Sequence, residues 1–398
     1  MTASSDNQTA YIVAGARTPI GRLSGGLASF SAAELGGVAI SAALDRAGVS
    51  PEDVDFVFMG HVLQAGAGQI TARQAANAAG IPMSTPSTTV NKVCLSGLNA
   101  IQLANMMIKT GQAEIVVAGG MESMTNAPYL LPGARAGYRA GDKTVVDSMM
   151  YDGLFCAFDA CSMGEGTENY ASATTIDRTA MDRYAALSHE RSAAAHKEGR
   201  LDAELVAVEV PQRKGDPVVF EADEGVRPET TAESLAGLRP AFTTDGAVTA
   251  GNASQISDGA SATVIMSKAK VEELGLSALG EIVSYGEVAG DPSLLTKPSE
   301  AARVALDRAG LSVEDIGLFE INEAFAAVVL ASMDDLGISE DIVNVNGGGV
   351  AMGHPIGASG NRLALTLLHE MKRRGETYGL ACLCGGGGQG DALIVKAL

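Results

Sequence analysis

ALDRAGVSPEDV at residues 43–54 returns as ALDRAGLSVEDI at residues 305–316. Nine of the twelve positions are identical, at an offset of 262. Each copy reads as the end of an apolar-periodic helix stopped by glycine, then a turn into an apolar strand. The strand is VDFVFMG in the first copy and GLFEI in the second. One match of this kind could be a common helix-ending phrase. Two more pairs fall in the same order. CLSGLNA from Cys94 and GASGNRL from Gly357 share Ser-Gly at offset 263, and VVAGG ending at Gly120 matches CLCGG ending at Gly386 at offset 266. Ordered matches at nearly one offset read as two copies of one βα unit.

The repeat exposes an excess of length. From its glycine run, the second copy needs about 13 residues to finish through DALIVKAL. The first copy reaches the equivalent strand, ASATVIMS near residue 260, only after about 140. The difference marks an insertion over residues 122–245, with residues 1–121 and 246–272 forming the first half and 273–398 the second. Within the insertion, TAMDRYAALSHERSAAAHKEG reads as a long helix. YIVAGA, EIVVAGG, GEIVSYG and DIVNVNGGG read as strands alternating with helices, which gives a layered α/β fold.

Composition narrows the partners. The chain has 398 residues, with 28 Lys plus Arg against 47 Asp plus Glu, a formal net charge of −19. That balance argues against a nucleic-acid binder or a polybasic membrane-surface protein. The polar start MTASSDNQTA carries no signal-peptide pattern, and no window approaches a membrane-spanning length of apolar residues. Five irregularly spaced cysteines fit a reducing, cytoplasmic setting better than a disulfide framework. Cys156 and Cys161 lack a second Cys or His pair at zinc-site spacing, so no metal site is expected.

Three stretches hold residues suited to chemistry. Cys94 in NKVCLSG precedes a helical pattern, where the helix dipole favours thiolate and backbone N–H groups can meet an oxyanion. A buried structural cysteine is the other reading. His354 in GGGVAMGHPIGASG occupies the equivalent place in the second copy, either as a structural histidine or as the base of a Cys–His pair. The run CLCGGGGQG offers glycine N–H groups. A dinucleotide loop would need a helix next, and DALIVKAL is strand-like. The reading sets Cys382 and Cys384 on opposite faces of their strand, so that one at most meets a shared site. INEAFAA places Asn322 and Glu323 where an apolar strand turns polar.

Together NKVCLSG, GGMESM, GNASQISDGASA, NEAFA, GGGVAMGHPIGASG and CLCGGGGQG resemble the thiolase family, and among thiolases the acetyl-CoA C-acetyltransferases. The resemblance runs essentially end to end. It implies a duplicated five-layered α-β-α-β-α core with an inserted loop domain, a likeness that meets the repeat and the excess length. It implies that Cys94 takes the acyl group and that His354 activates it and helps bind the thioester oxygen. Cys384 would be the acid/base cysteine, and Asn322 would hold a water in the oxyanion hole. A second hole would use the N–H groups of Cys94 and Gly386. Arg227, in the DExxR pattern begun by Asp223, and Ser254 become candidate coenzyme A contacts. Ser234, Phe242, Ala250, Ala324 and Phe325 would line the pantetheine tunnel, and Met163 would shorten the acyl pocket. Ser162 departs from the His that many acetoacetyl-CoA-forming members carry there, which bears on chain-length preference. The implied reaction joins two acetyl-CoA into acetoacetyl-CoA and CoA, needs no cofactor beyond the thioester, and belongs to a family that is commonly a homotetramer. A degradative 3-ketoacyl-CoA thiolase is the alternative, and a non-catalytic acyl-CoA-binding protein on the same fold the remote one.

Overall fold

The structure is a computed structural model, and it describes residues 8–398. Most of the polar start, residues 1–7, lies outside the described residues. The strands are β1 (Ala10–Arg17), β2 (Phe56–Gly60), β3 (Ser87–Val90), β4 (Ile115–Ser123), β5 (Ser257–Ser267), β6 (Gly280–Ala289), β7 (Leu318–Ile321), β8 (Tyr378–Gly385) and β9 (Gln389–Ala397). They join edge to edge in the order β7-β8-β9-β6-β1-β5-β4-β2-β3. Outward from the β1–β6 seam, the two halves repeat one topology. β1-β5-β4-β2 corresponds to β6-β9-β8-β7, with the last pair parallel in each half. Both seam strands even carry a register shift at the same place, Ile12/Ala14 and Ile282/Ser284.

The helices that matter here are α1 (Ala32–Ala47), α2 (Thr71–Ala78), α3 (Ser96–Lys109), α4 (Met163–Ala171), α5 (Arg178–Lys197), α6 (Lys297–Ala309), α7 (Ala326–Leu336) and α8 (Ser359–Arg374). The duplicated DRAG phrase is the end of α1 and of α6. Gly48 and Gly310 terminate these helices in the left-handed region at φ 67 and 66, which glycine enters without a Cβ penalty. Short 3-10 turns at Pro51–Asp53 and Val313–Asp315 follow in both copies.

Three buried clusters define the layers. α1 and α2 cover the outer face of the first half-sheet, and α6 and α7 cover that of the second. α3 and α8 share the middle, between Val116, Ala118 and Ile265 on one side and Leu383, Leu393 and Val395 on the other. The repeated Ser-Gly explains how two helices fit there. A Cβ on Gly97 would stand 2.8 Å from the Asn361 nitrogen, and one on Gly360 would run into the backbone of Leu98. Each copy therefore needs glycine where its helix start meets the other.

Two expectations fail. DIVNVN is not a strand: Glu340–Ile342 forms a 3-10 helix and only Val343 bridges to Phe319. The charged Glu340 and Asp341 open a turn that the alternating apolar pattern hid. Cys382 and Cys384 do not face opposite ways. Side chains two apart on a strand share a face, and both lie in the cluster under α6 and α7. Cys384 alone reaches the functional cavity because it sits nearer the strand's end.

Between β4 and β5 the chain forms α4, α5, several two- and three-residue strand pairs and long connections. This segment is tied to β1 by a buried cation. Arg17 is 1% exposed, and its guanidinium meets Glu204 at 2.6 Å and Asp223 at 2.7 and 3.0 Å.

Candidate active site

Cys94 stands on a tight elbow between β3 and α3. Val93, just before it, has φ 51, a region costly for a β-branched residue by roughly 1–3 kcal/mol. The Asn91 side chain accepts the Val93 N–H at 3.1 Å, and Ser96 accepts the Lys92 N–H at 2.8 Å while donating to the Val93 carbonyl at 2.6 Å. These bonds hold the elbow and present Cys94 half-buried at the wall of a cavity of about 60 Å³. Met163, Ser254, Ala324, Phe325, His354, Cys384 and Gly386 line the same cavity.

Burial pushes the Cys94 thiol up to about 12; the N–H groups of Gly386 and of Cys94 itself point at the sulfur and oppose this, while Glu122 adds to it. The helix-dipole expectation of a lowered thiol is thus corrected. α3 begins two residues later, at Ser96, and desolvation outweighs its field. Burial also holds the Cys384 thiol well above its ordinary range, and the nearness of Cys94 adds to that.

His354 is 5% exposed, and burial, with Arg362 adding to it, holds its imidazole down to about 3. It is therefore neutral at pH 7. Its tautomer follows from a chain of partners. Ser359 donates its hydroxyl to the Pro355 carbonyl at 3.0 Å. Its oxygen then accepts from His354 Nδ1–H at 2.6 Å, which leaves Nε2 unprotonated and an acceptor. Asn322 Nδ2 approaches that nitrogen at 3.3 Å. Asn322 Oδ1 is buried with no protein partner, so it can accept from a group entering the cavity.

The neighbouring Glu323 holds this loop in place. Its carboxylate accepts from Tyr184 at 2.9 Å, Ser188 at 2.6 Å, Asn344 at 3.1 Å and the Val350 N–H at 3.0 Å. Glu122, at the end of β4, braces the histidine loop. It accepts the N–H groups of Val62, Leu63 and Gly357 at 3.0–3.1 Å. Sequence reasoning gave no role to Ser359, Glu122, Lys92 or the strain at Val93. The signal available for Ser359 was its pairing with Ser96 in the repeat.

The small cavity opens into a cleft of about 570 Å³ through shared walls at Leu154, Met163, Ser254, Phe325, His354 and Ile356. Phe242 and Ala250 line the cleft, and Phe242 packs edge-on to Phe325 at 6.2 Å. Ser162 lines it too, while capping α4 through the Glu165 N–H. Arg227 and Ser234 are exposed and do not line it. Ser234 caps a short helix with Thr231. The DExxR pattern is largely spent on structure: Asp223 binds Arg17, and Glu224 accepts the N–H groups of Arg22 and Gly26. Among the described residues, no cluster of three or more His, Cys, Asp or Glu has metal-site geometry.

Two thiols and a neutral imidazole from the two halves of a duplicated fold thus share one cavity. Residues 10–269 match the thiolase N-terminal domain, and residues 276–397 match the thiolase C-terminal domain. The chain belongs to the thiolase family. This thiolase is 54% identical to a probable acetyl-CoA acetyltransferase of Mycolicibacterium smegmatis, over 97% of this chain and 100% of that one. It is 53% identical to the acetyl-CoA acetyltransferase of Cupriavidus necator, over 97% and 98%. The crystal structure of the Bacillus anthracis acetyl-CoA acetyltransferase superposes with a TM-score of 0.96 at 42% identity, covering 99% of this thiolase and all of that chain.

Proposed function

We propose that this thiolase is an acetyl-CoA C-acetyltransferase, joining two acetyl-CoA reversibly into acetoacetyl-CoA and CoA. The meeting of Cys94, His354 and Cys384 on one small cavity carries this reading. The sulfur of Cys94 attacks the thioester carbonyl as its proton passes to His354 Nε2. As the CoA sulfur departs it takes the proton of Cys384, so CoA leaves as the thiol, an acetyl group remains on Cys94, and a Cys384 thiolate stands opposite the His354 imidazolium. The Cys384 thiolate takes the α-proton of the second acetyl-CoA. The resulting enolate attacks the acyl-cysteine, whose oxygen turns toward the N–H groups of Cys94 and Gly386. Collapse expels the Cys94 sulfur, which recovers its proton from His354. The reacting groups in this sequence are side chains and backbone donors, so beyond the CoA thioester and a bound water the reading requires no small molecule. Asn322 would hold a water beside His354 for the first oxyanion.

A cavity of about 60 Å³ offers room for a few water-sized groups, at roughly 10–15 Å³ each, and so suits a short acyl chain. Met163 forms part of its wall. The longer cleft would take the pantetheine arm along Ser254, Phe242, Ala250 and Phe325, with Ala324 in the wall of the small cavity beyond and Arg227 meeting the far, charged end at the surface. Residues 122–245 would act as the loop domain that holds it. A homotetramer, reached through paired dimers, is supported by exposed apolar side chains at Tyr129, Leu131, Tyr151 and Phe158. No helix among the described residues is long and apolar enough to cross a membrane, and a cytoplasmic site of action fits five free cysteines.

Cleavage of acetoacetyl-, 3-ketohexanoyl- and 3-ketodecanoyl-CoA by free CoA tests the reading. Loss of the 3-keto chromophore with acetoacetyl-CoA alone is expected. Equal rates on all three would replace it with the broad degradative enzyme, and no cleavage of any would refute both.

A further inference from the structure

The bonds that shape the Cys94 elbow are local, from Asn91 and Ser96. They do not fix where the elbow sits relative to the opposite half of the molecule. Lys92 does. Its ammonium donates to Asp391 at 2.8 and 3.0 Å and to Glu287 at 2.7 Å. Tyr285 donates to the same Asp391 carboxylate at 2.5 Å. Tyr285 and Glu287 lie on β6 and Asp391 on β9, both strands of the second half. Asp391 is fully buried and stands directly opposite Leu383, the neighbour of Cys384. Burial alone would lower the Lys92 ammonium, but Asp391 and Glu287 outweigh it and hold it above its ordinary value.

Lys92 thus ties the loop bearing one reactive sulfur to β6 and β9, and β9 pairs with the strand β8 that bears the other. Its cation is not among the groups that act on the Cys94 thiol, so the effect is one of placement. Taking the thiolase reading as its basis, we propose that Lys92 is a positioning residue: its ion pair with Asp391 holds the strained Cys94 elbow at the distance from Cys384 that carbon–carbon bond formation and cleavage require.

The test compares the full-length protein with Lys92→Met, Lys92→Arg and the double variant Lys92→Met/Asp391→Asn. The double variant removes the clamp without stranding a buried charge, so it separates placement from folding. In thiolysis of acetoacetyl-CoA, kcat of the double variant should fall by about 10–100-fold, with KM for CoA changed by less than about twofold. Lys92→Arg should recover kcat to within about threefold of the parent, because the guanidinium can reach the same carboxylate. Per-site alkylation of Cys94 by iodoacetamide, followed by mass spectrometry, should change in rate by more than about threefold in the double variant. A folded double variant with parental kcat and parental Cys94 alkylation overturns the proposal. A parent that alkylates at Cys94 but cleaves no 3-ketoacyl-CoA refutes the thiolase reading instead, and the alkylation comparison then still decides on the clamp.

Discussion

Cys94 and His354 meet at pH 7 as a neutral thiol and a neutral imidazole, because burial opposes charge on both. A preformed thiolate–imidazolium pair would cost more in this site than a proton that moves as the carbon–sulfur bond forms. The pH dependence follows with a definite sign. The base form of His354 is the neutral one, and its pKa is held at about 3, below the ordinary 6.5. Acid should therefore not extinguish acylation of Cys94 as the pH falls through 6.5. Acylation by acetyl-CoA measured from pH 8 to pH 5 should lack a histidine limb near 6.5, and a tenfold fall centred there would contradict the neutral-imidazole account. Ser359→Ala removes the acceptor that keeps the proton on Nδ1, and should slow acylation by about tenfold across that range. That Cys94 and His354 would meet at one site was legible from their positions within the repeat. The direction of the Cys94 shift was not, because helix-end position can be read from a pattern while desolvation depends on what closes over the sulfur.

At the scale of elements, the duplicated phrases mapped onto real equivalences. DRAG became paired helix ends with left-handed glycines, and Ser-Gly became the paired starts of α3 and α8. Two errors concern strands. DIVNVN alternates apolar and polar residues, yet its acidic entry turns it into a 3-10 helix with a single bridge. The facing of Cys382 and Cys384 follows from the two-residue period of a strand and was open to correct reading. What no single segment announces is the contact between α3 and α8, because it joins residues more than 250 apart. Gly360→Ala would place a methyl against the Leu98 backbone, which cannot yield as a side chain can. Unfolding in guanidinium should show a loss of about 1–3 kcal/mol, and an unchanged midpoint would mean the middle layer is looser than described.

Across the whole molecule, the net charge of −19 coexists with a site proposed to take a polyanionic thioester. Residues 122–245 hold 12 of the 28 basic side chains but carry a net −9, so cationic help must be local. Some of that charge is structural: Asp223 and Glu204 bind this segment to Arg17 of β1. This long-range tether was invisible in sequence, where Asp223 read as part of a ligand motif. The duplicated sheet brings Cys94 from one half and His354 and Cys384 from the other to a single cavity, and the division of labour between the two sulfurs is the central claim. Its most direct test is peptide mass mapping after brief exposure to acetyl-CoA of the parent, Cys94→Ser and Cys384→Ala proteins. The account predicts one acetyl group on the Cys94 peptide of the parent and of Cys384→Ala, none in Cys94→Ser, and no acetoacetyl-CoA from either variant. An acetyl group carried on Cys384, or turnover retained by Cys94→Ser, would contradict it.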